Sequence, residues 1–212
     1  MITPRPYQTE ALDAVLGRWR DGVTRQLVSL PVGSGKTLIF GMVAGALKTR
    51  TLVLAHREEL LLQARQKIRL VYPEADVGIL KAEERSGLWT DICVASVQTA
   101  MRNTEALRER GFRLLICDEA TSALDAATRN QVLEFLMEIN GRDGISILLI
   151  SHDVGILKRC CHRVVVMDGG RFVEDLPPSR LDEARHPSTR KLLRSERTVD
   201  SAFSRIISSP HD

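Results

Sequence analysis

Residues Leu114–Asp125 read LLICDEATSALD, and the stretch changes character halfway. Leu114 to Cys117 is a short apolar run, the pattern of a strand buried on both faces, and it closes on adjacent carboxylates, Asp118 and Glu119. Two acids at the mouth of a buried strand can hold a divalent metal and orient a water. Acids on a solvated turn have no such run behind them. Ala120 to Ala123 then continue with small and hydroxyl residues, followed by Leu124 and Asp125, that the acidic pair does not itself require.

Outward from this stretch, similar apolar runs recur: RQLVSL (25–30), TLVLA (51–55), ICVAS (92–96), RLLIC (113–117), ISILLI (145–150) and HRVVVM (162–167). Between them, TEALDAVLGRWRDG (9–22), REELLLQARQKIRLVY (57–72) and AATRNQVLEFLMEING (126–141) repeat apolar residues every three and four positions, which is helical spacing. Apolar strands alternating with helices predict an α/β fold: three layers, with a mainly parallel central sheet covered on both faces. Chemistry in such a fold belongs at the carboxyl ends of the strands. The composition turns polar at Pro177-Pro178, so residues 1–176 are expected to form the domain. Residues 177–212 are expected as a polar, partly disordered tail on or beside it, with a weak helical pattern around Ser188 to Arg194.

The bulk properties narrow the class only a little. A 43% hydrophobic share with 27% charged residues fits a globular domain, and a formal charge of +3 neither requires nor excludes nucleic acid. No apolar run approaches the roughly 20 residues that cross a bilayer, and MITPRPYQTEALD lacks the build of a signal peptide, so a cytoplasmic location is expected. Cys93 and Cys117 sit inside strand-like runs and read as buried thiols; Cys160-Cys161-His162 is a poor chelate because adjacent residues point apart.

LPVGSGKTLIF (Leu30–Phe40) follows one strand-like run and opens a helix. Gly33 and Gly35 allow the backbone to fold so that successive N–H groups, including that of Ser34, face one anion, and the helix dipole adds positive charge there. Lys36 is placed to reach the β- and γ-phosphates of a nucleotide, and the Thr37 hydroxyl to bind Mg2+ beside Asp118. Leu30 stands where a glycine opens the strict form of this pattern. His152 follows the run ISILLI directly in Ser151-His152-Asp153, so it is expected to point into the same site as a γ-phosphate sensor.

Up to Ala120 the chain resembles the first motor domain of superfamily-two helicases, in the branch of restriction-enzyme translocases and repair helicases. RPYQTEAL (Arg5–Leu12), PVGSGKT, LVLAHREELLLQA (Leu52–Ala64), VASVQTAM (Val94–Met101) and the Asp118-Glu119 pair stand in that family's order. The resemblance implies that Gln8 hydrogen-bonds an adenine edge framed by Arg5 and Tyr7, and it accounts for Leu30. It also implies that His56, Arg57, Ser96, Gln98 and Thr99 grip DNA or RNA, and that Glu119 orients or deprotonates the attacking water.

From residue 114 to 193 the chain is similar instead to the end of an ATP-binding-cassette transporter subunit of the peptide and nickel importer type. The resemblance rests on CDEATSALDAATRNQVLEFLMEIN, ILLISHDVGILKRCCHRVVVMDGGRFVED and HPSTRKLL (His186–Leu193). It implies that Ser122 to Asp125 face a partner subunit and that His152 touches the γ-phosphate. Both families build one core sheet, in which the strand after the acidic pair inserts between it and the phosphate-loop strand. ISILLI can fill that slot, so a join at 114–120, engineered or recombined, preserves the strand order.

The second helicase motor domain and the cassette signature segment are both missing from the sequence. These units stabilise charge on the transferred phosphoryl, a contribution of order 10³ to 10⁵ in rate where an arginine finger is involved. The expected activity is therefore Mg-ATP binding with weak or absent hydrolysis, open to stimulation by nucleic acid, with no membrane transporter partner. The alternatives are a transporter ATPase fragment, or a folded scaffold without selected activity.

Overall fold

The computed structural model describes residues 3–30, 34–55, 58–81, 84–118, 124–151, 159–169 and 171–194. Its elements alternate. Helix α1 (Pro6–Arg20) leads to β1 (Arg25–Ser29), α2 (Lys36–Leu47), β2 (Thr51–Ala55), α3 (Glu58–Val71) and β3 (Val77–Leu80). A 3-10 turn (Ser86–Trp89) precedes β4 (Ile92–Ser96), α4 (Val97–Arg102), α5 (Thr104–Glu109), β5 (Leu114–Asp118) and α6 (Ala126–Asp143). The chain continues through β6 (Ser146–Ile150), β7 (Arg163–Asp168), β8 (Arg171–Leu176) and a 3-10 turn (Pro178–Glu183) to a helix at 187–194.

The eight strands form one sheet in the order β3-β4-β2-β5-β6-β1-β7-β8. All neighbours are parallel except β7 and β8. β6, the run expected to separate the acidic strand from the phosphate-loop strand, does so: Asp118 pairs with Ile150, and Ile150 with Val28. Alternate side chains point to opposite faces of a strand, and two cores result. Val28, Val53, Ile116 and Ile150 pack under α1, α2 and α3, while Leu27, Leu54, Leu115 and Leu149 pack under α4, α5 and α6.

Two strands exceed the six runs read from sequence. β3 is short and contains Gly78, so it shows little β-propensity. β8 (RFVEDL) is a half-exposed edge whose charged residues break the apolar pattern. It returns antiparallel through a tight hairpin in which Asp168 pairs with Arg171 and Gly169 takes φ 55°. The positive φ that such turns require explains the glycine at position 169. Beyond Pro177, Leu181 is 1% and Thr189 0% exposed, and Leu192 and Leu193 pack against the α6 side of the sheet. Residues 195–212 lie outside the described residues.

Candidate nucleotide site

The carboxyl ends of β1, β6 and β5 stand side by side. With strands about 4.8 Å apart, Asp118 is roughly 10 Å from the β1 backbone, a span suited to a metal-bound triphosphate. Ser34 and Gly35 lead into α2, which begins at Lys36. Gly35 caps α2 in the left-handed region, at φ 75° and ψ 37°. The first N–H groups of a helix have no intrahelical acceptor and favour an anion. Thr37, on the first turn, is 9% exposed, and Ser151 directly beyond β6 is 7% exposed.

α1 closes one side of this turn. Pro6 opens the helix, where its missing N–H removes no helical bond. Gln8 Oε1 then accepts the Arg5 backbone N–H at 2.9 Å. The same amide donates through Nε2 to the Ser34 carbonyl at 3.2 Å, and Tyr7 Oη donates to that carbonyl at 2.7 Å. Gln8 is 3% exposed, so its amide faces the turn, and Arg5 is exposed beside it. Ser34 Oγ is buried without a protein partner, a hydroxyl able to serve a bound phosphate oxygen. A side chain at Gly35 would bring Cβ to 2.7 Å from Gln8 Nε2. These features fit a nucleotide phosphate.

Ser96, Gln98 and Thr99 lie at the carboxyl end of β4, on the same edge of the sheet. Four strand spacings, roughly 19 Å, separate β4 from β1. Ser96 caps α4, its Oγ accepting from Thr99 N at 3.1 Å and lying 2.9 Å from Thr99 Oγ1; Gln98 is exposed. The structure thus brings Gln8, Arg5, Ser34, Gly35, Lys36, Thr37 and Asp118 to one end of the central strands and sets the β4 group further along. Gly33, Arg57, Glu119 and His152, with His56 and Ser122, fall outside the described residues.

Asp125 holds a role that sequence reasoning missed. It is the N-cap of α6: Oδ1 accepts Thr128 N at 2.9 Å, and Oδ2 accepts Thr128 Oγ1 at 2.6 Å. These bonds hold its carboxyl below the ordinary carboxylate range. The signal was present as an acid three residues before Thr128, at the start of an apolar-periodic segment. Burial pushes the thiols up, Cys93 to about 12, with Cys117, Cys160 and Cys161 also raised, so none is poised as a nucleophile.

A strand ending in an acid, a central strand beside it and a third strand leading toward the helix that starts at Lys36 form the parallel core of a RecA-like P-loop domain. The chain belongs to the family of the type III restriction enzyme res subunit, whose model matches residues 1–139. Solved structures of the same fold include a hypothetical ATP-dependent RNA helicase from Sulfolobus tokodaii. It matches at TM-score 0.56 and 18% identity, over 71% of this chain and 46% of that one. The SWI2/SNF2 ATPase core of Sulfolobus solfataricus, solved with dsDNA, matches at TM-score 0.56 and 17% identity, over 71% and 32% of the two chains.

Part of the chain is also similar to methionine import ATP-binding proteins. The MetN 2 protein of Pseudomonas entomophila is 40% identical over 94 residues, which is 44% of this chain and 28% of that protein. MetN of Xanthomonas campestris is 42% identical over 91 residues, 42% of this chain and 27% of its own length. The chain thus spans about a quarter of the length of these curated relatives. The two family matches together exceed the chain's 212 residues, so they share some of them. No helix among the described residues is long and apolar enough to cross a membrane.

Proposed function

We propose that the domain binds Mg-ATP at the turn of residues 33–37 and hydrolyses it slowly. The pairing that supports this most directly is Ile150 between Val28 and Asp118, which sets the acidic strand one strand away from the strand feeding the turn. On this reading the N–H groups of Gly33, Ser34 and Gly35 surround the phosphates, and Lys36 neutralises charge on the β- and γ-groups. Thr37 and Asp118 hold Mg2+, which supplies charge neutralisation and orientation of the phosphates. Glu119 orients the water for in-line attack, and His152 senses the γ-phosphate. An arginine supplied by a second unit would speed the transfer by about 10³ to 10⁵, so the rate proposed is that of this domain by itself.

The β4 group favours nucleic acid as a modulator. Ser96, Gln98 and Thr99 lie on the same edge of the sheet as Gly35 and Lys36, so a strand bound there, with Arg57 as a further contact proposed from the helicase resemblance, can influence the site. The overlap of the two family matches supports an origin by joining two P-loop families at their common strand. Calorimetric titration with Mg-ATP tests the site: Lys36→Ala is expected to abolish binding, and Glu119→Gln to retain binding and lose turnover. Equal affinity in the wild type and Lys36→Ala refutes it. Turnover measured with and without DNA tests the modulator.

A further inference from the structure

Tyr7 reads in sequence as a frame for adenine, yet its hydroxyl is turned to the backbone. Tyr7 Oη lies 2.7 Å from the Ser34 carbonyl, and because a carbonyl has no proton to give, the phenol is the donor. Gln8 Nε2 donates to the same oxygen at 3.2 Å. A carbonyl oxygen has two lone pairs, and here both are engaged from the α1 side. The Ser34–Gly35 peptide is planar and trans, so its N–H points opposite to its C=O. Holding the carbonyl toward α1 therefore aims the Gly35 N–H away from α1. The close approach of Gln8 Nε2, 2.7 Å from where a Cβ on Gly35 would sit, leaves no room for a side chain between helix and peptide.

We propose that Tyr7 is a positioning residue for the phosphate turn: its hydroxyl sets the Ser34–Gly35 peptide so that the Gly35 N–H faces the phosphate before nucleotide arrives. The proposal rests on the reading of residues 33–37 as a phosphate cradle, and it differs from base recognition in one measurable way. A group that frames adenine strengthens ATP binding and leaves inorganic tripolyphosphate unaffected. A group that orients a phosphate-binding N–H strengthens both equally.

Tyr7→Phe removes the hydroxyl and keeps the ring that packs against the α1–α2 core. Wild type and Tyr7→Phe are titrated calorimetrically with Mg-ATP, Mg-GTP and magnesium tripolyphosphate. The variant is expected to bind each ligand about fivefold more weakly, the factor corresponding to one net hydrogen bond. No loss, or a loss confined to ATP, overturns the proposal. A second measurement needs no ligand: in 1H–15N spectra of the free proteins, the Gly35 amide peak should move or broaden in Tyr7→Phe while Leu38 and Ile39 stay in place. An unmoved Gly35 peak overturns the proposal even if wild type binds no phosphate compound, the separate result that would refute the nucleotide site itself.

Discussion

Arg18 Nη2 and Asp175 Oδ2 lie 157 positions apart in the chain and meet at 2.9 Å, tying the first helix to the last strand. Arg163 donates to the other Asp175 oxygen. Burial alone would raise the Asp175 carboxyl, but Arg163 and Arg18 outweigh it and hold it below the ordinary carboxylate range. A lowered folded value means that this stabilisation is present above the ordinary carboxylate range and is lost as pH falls through the folded value. Asp175→Asn is expected to lower stability near neutral pH by on the order of 1 kcal/mol, since the group is partly exposed. Unfolding measured between pH 7 and pH 3 should show a shallower acid loss in the variant; an identical slope would remove Asp175 from the pH dependence.

Leu149 on β6 is 3% exposed and packs in the core beneath α6, in the same cluster as Leu115 on the neighbouring β5, which lies in the stretch 114–120 that both resemblances cover. Leu149→Ala should cost about 3 kcal/mol. Because β5 and β1 both pair with β6, the whole sheet should lose stability together, as a single transition with a lowered midpoint. Urea unfolding followed by far-UV circular dichroism and by the fluorescence of Trp19 and Trp89 provides the check. Two separated transitions would mean that the halves fold independently.

Gly35 combines a left-handed φ with the tight approach of Gln8. Gly35→Ala faces a backbone cost of about 1–2 kcal/mol in that region as well as the contact. The turn should shift and Mg-ATP affinity fall by more than tenfold, while Gly141→Ala, with open space around its position, should leave binding unchanged. Calorimetric titration of the two variants side by side tests this contrast.

Four free cysteines are all buried, and burial raises their thiols. A thiolate-specific reagent such as DTNB should therefore react slowly with the native protein and rapidly with all four thiols in denaturant. Fast reaction of one thiol in the folded protein would show that its segment opens readily.

Much of the sheet was legible because its inner strands are buried on both faces and read as unbroken apolar runs. β5 and β6 lie within a residue of their expected positions, and the insertion of β6 beside β1 followed from the two family patterns. β3 and β8 were hidden because one carries a glycine within four residues and the other is a charged edge. The start of α2 was legible because the left-handed φ of 75° that Gly35 takes there is one that glycine adopts without strain. The bond from Tyr7 to Ser34 was not, since a contact between a helix start and a backbone carbonyl 27 residues away leaves no periodic trace. Nor was the pairing of Arg108 with Glu138 and Asp143, which meet it only once α5 and α6 pack.

The family match ends at residue 139, inside α6 and ahead of β6. A truncation drawn at that limit would strip out the middle of the sheet, leaving the facing borders of β1 and β5 with bare amides and carbonyls. Such borders recruit strands from other molecules. The boundary suggested by ancestry is therefore a poor place to cut this polypeptide, and a fragment stopping there should precipitate where the longer chain stays dispersed.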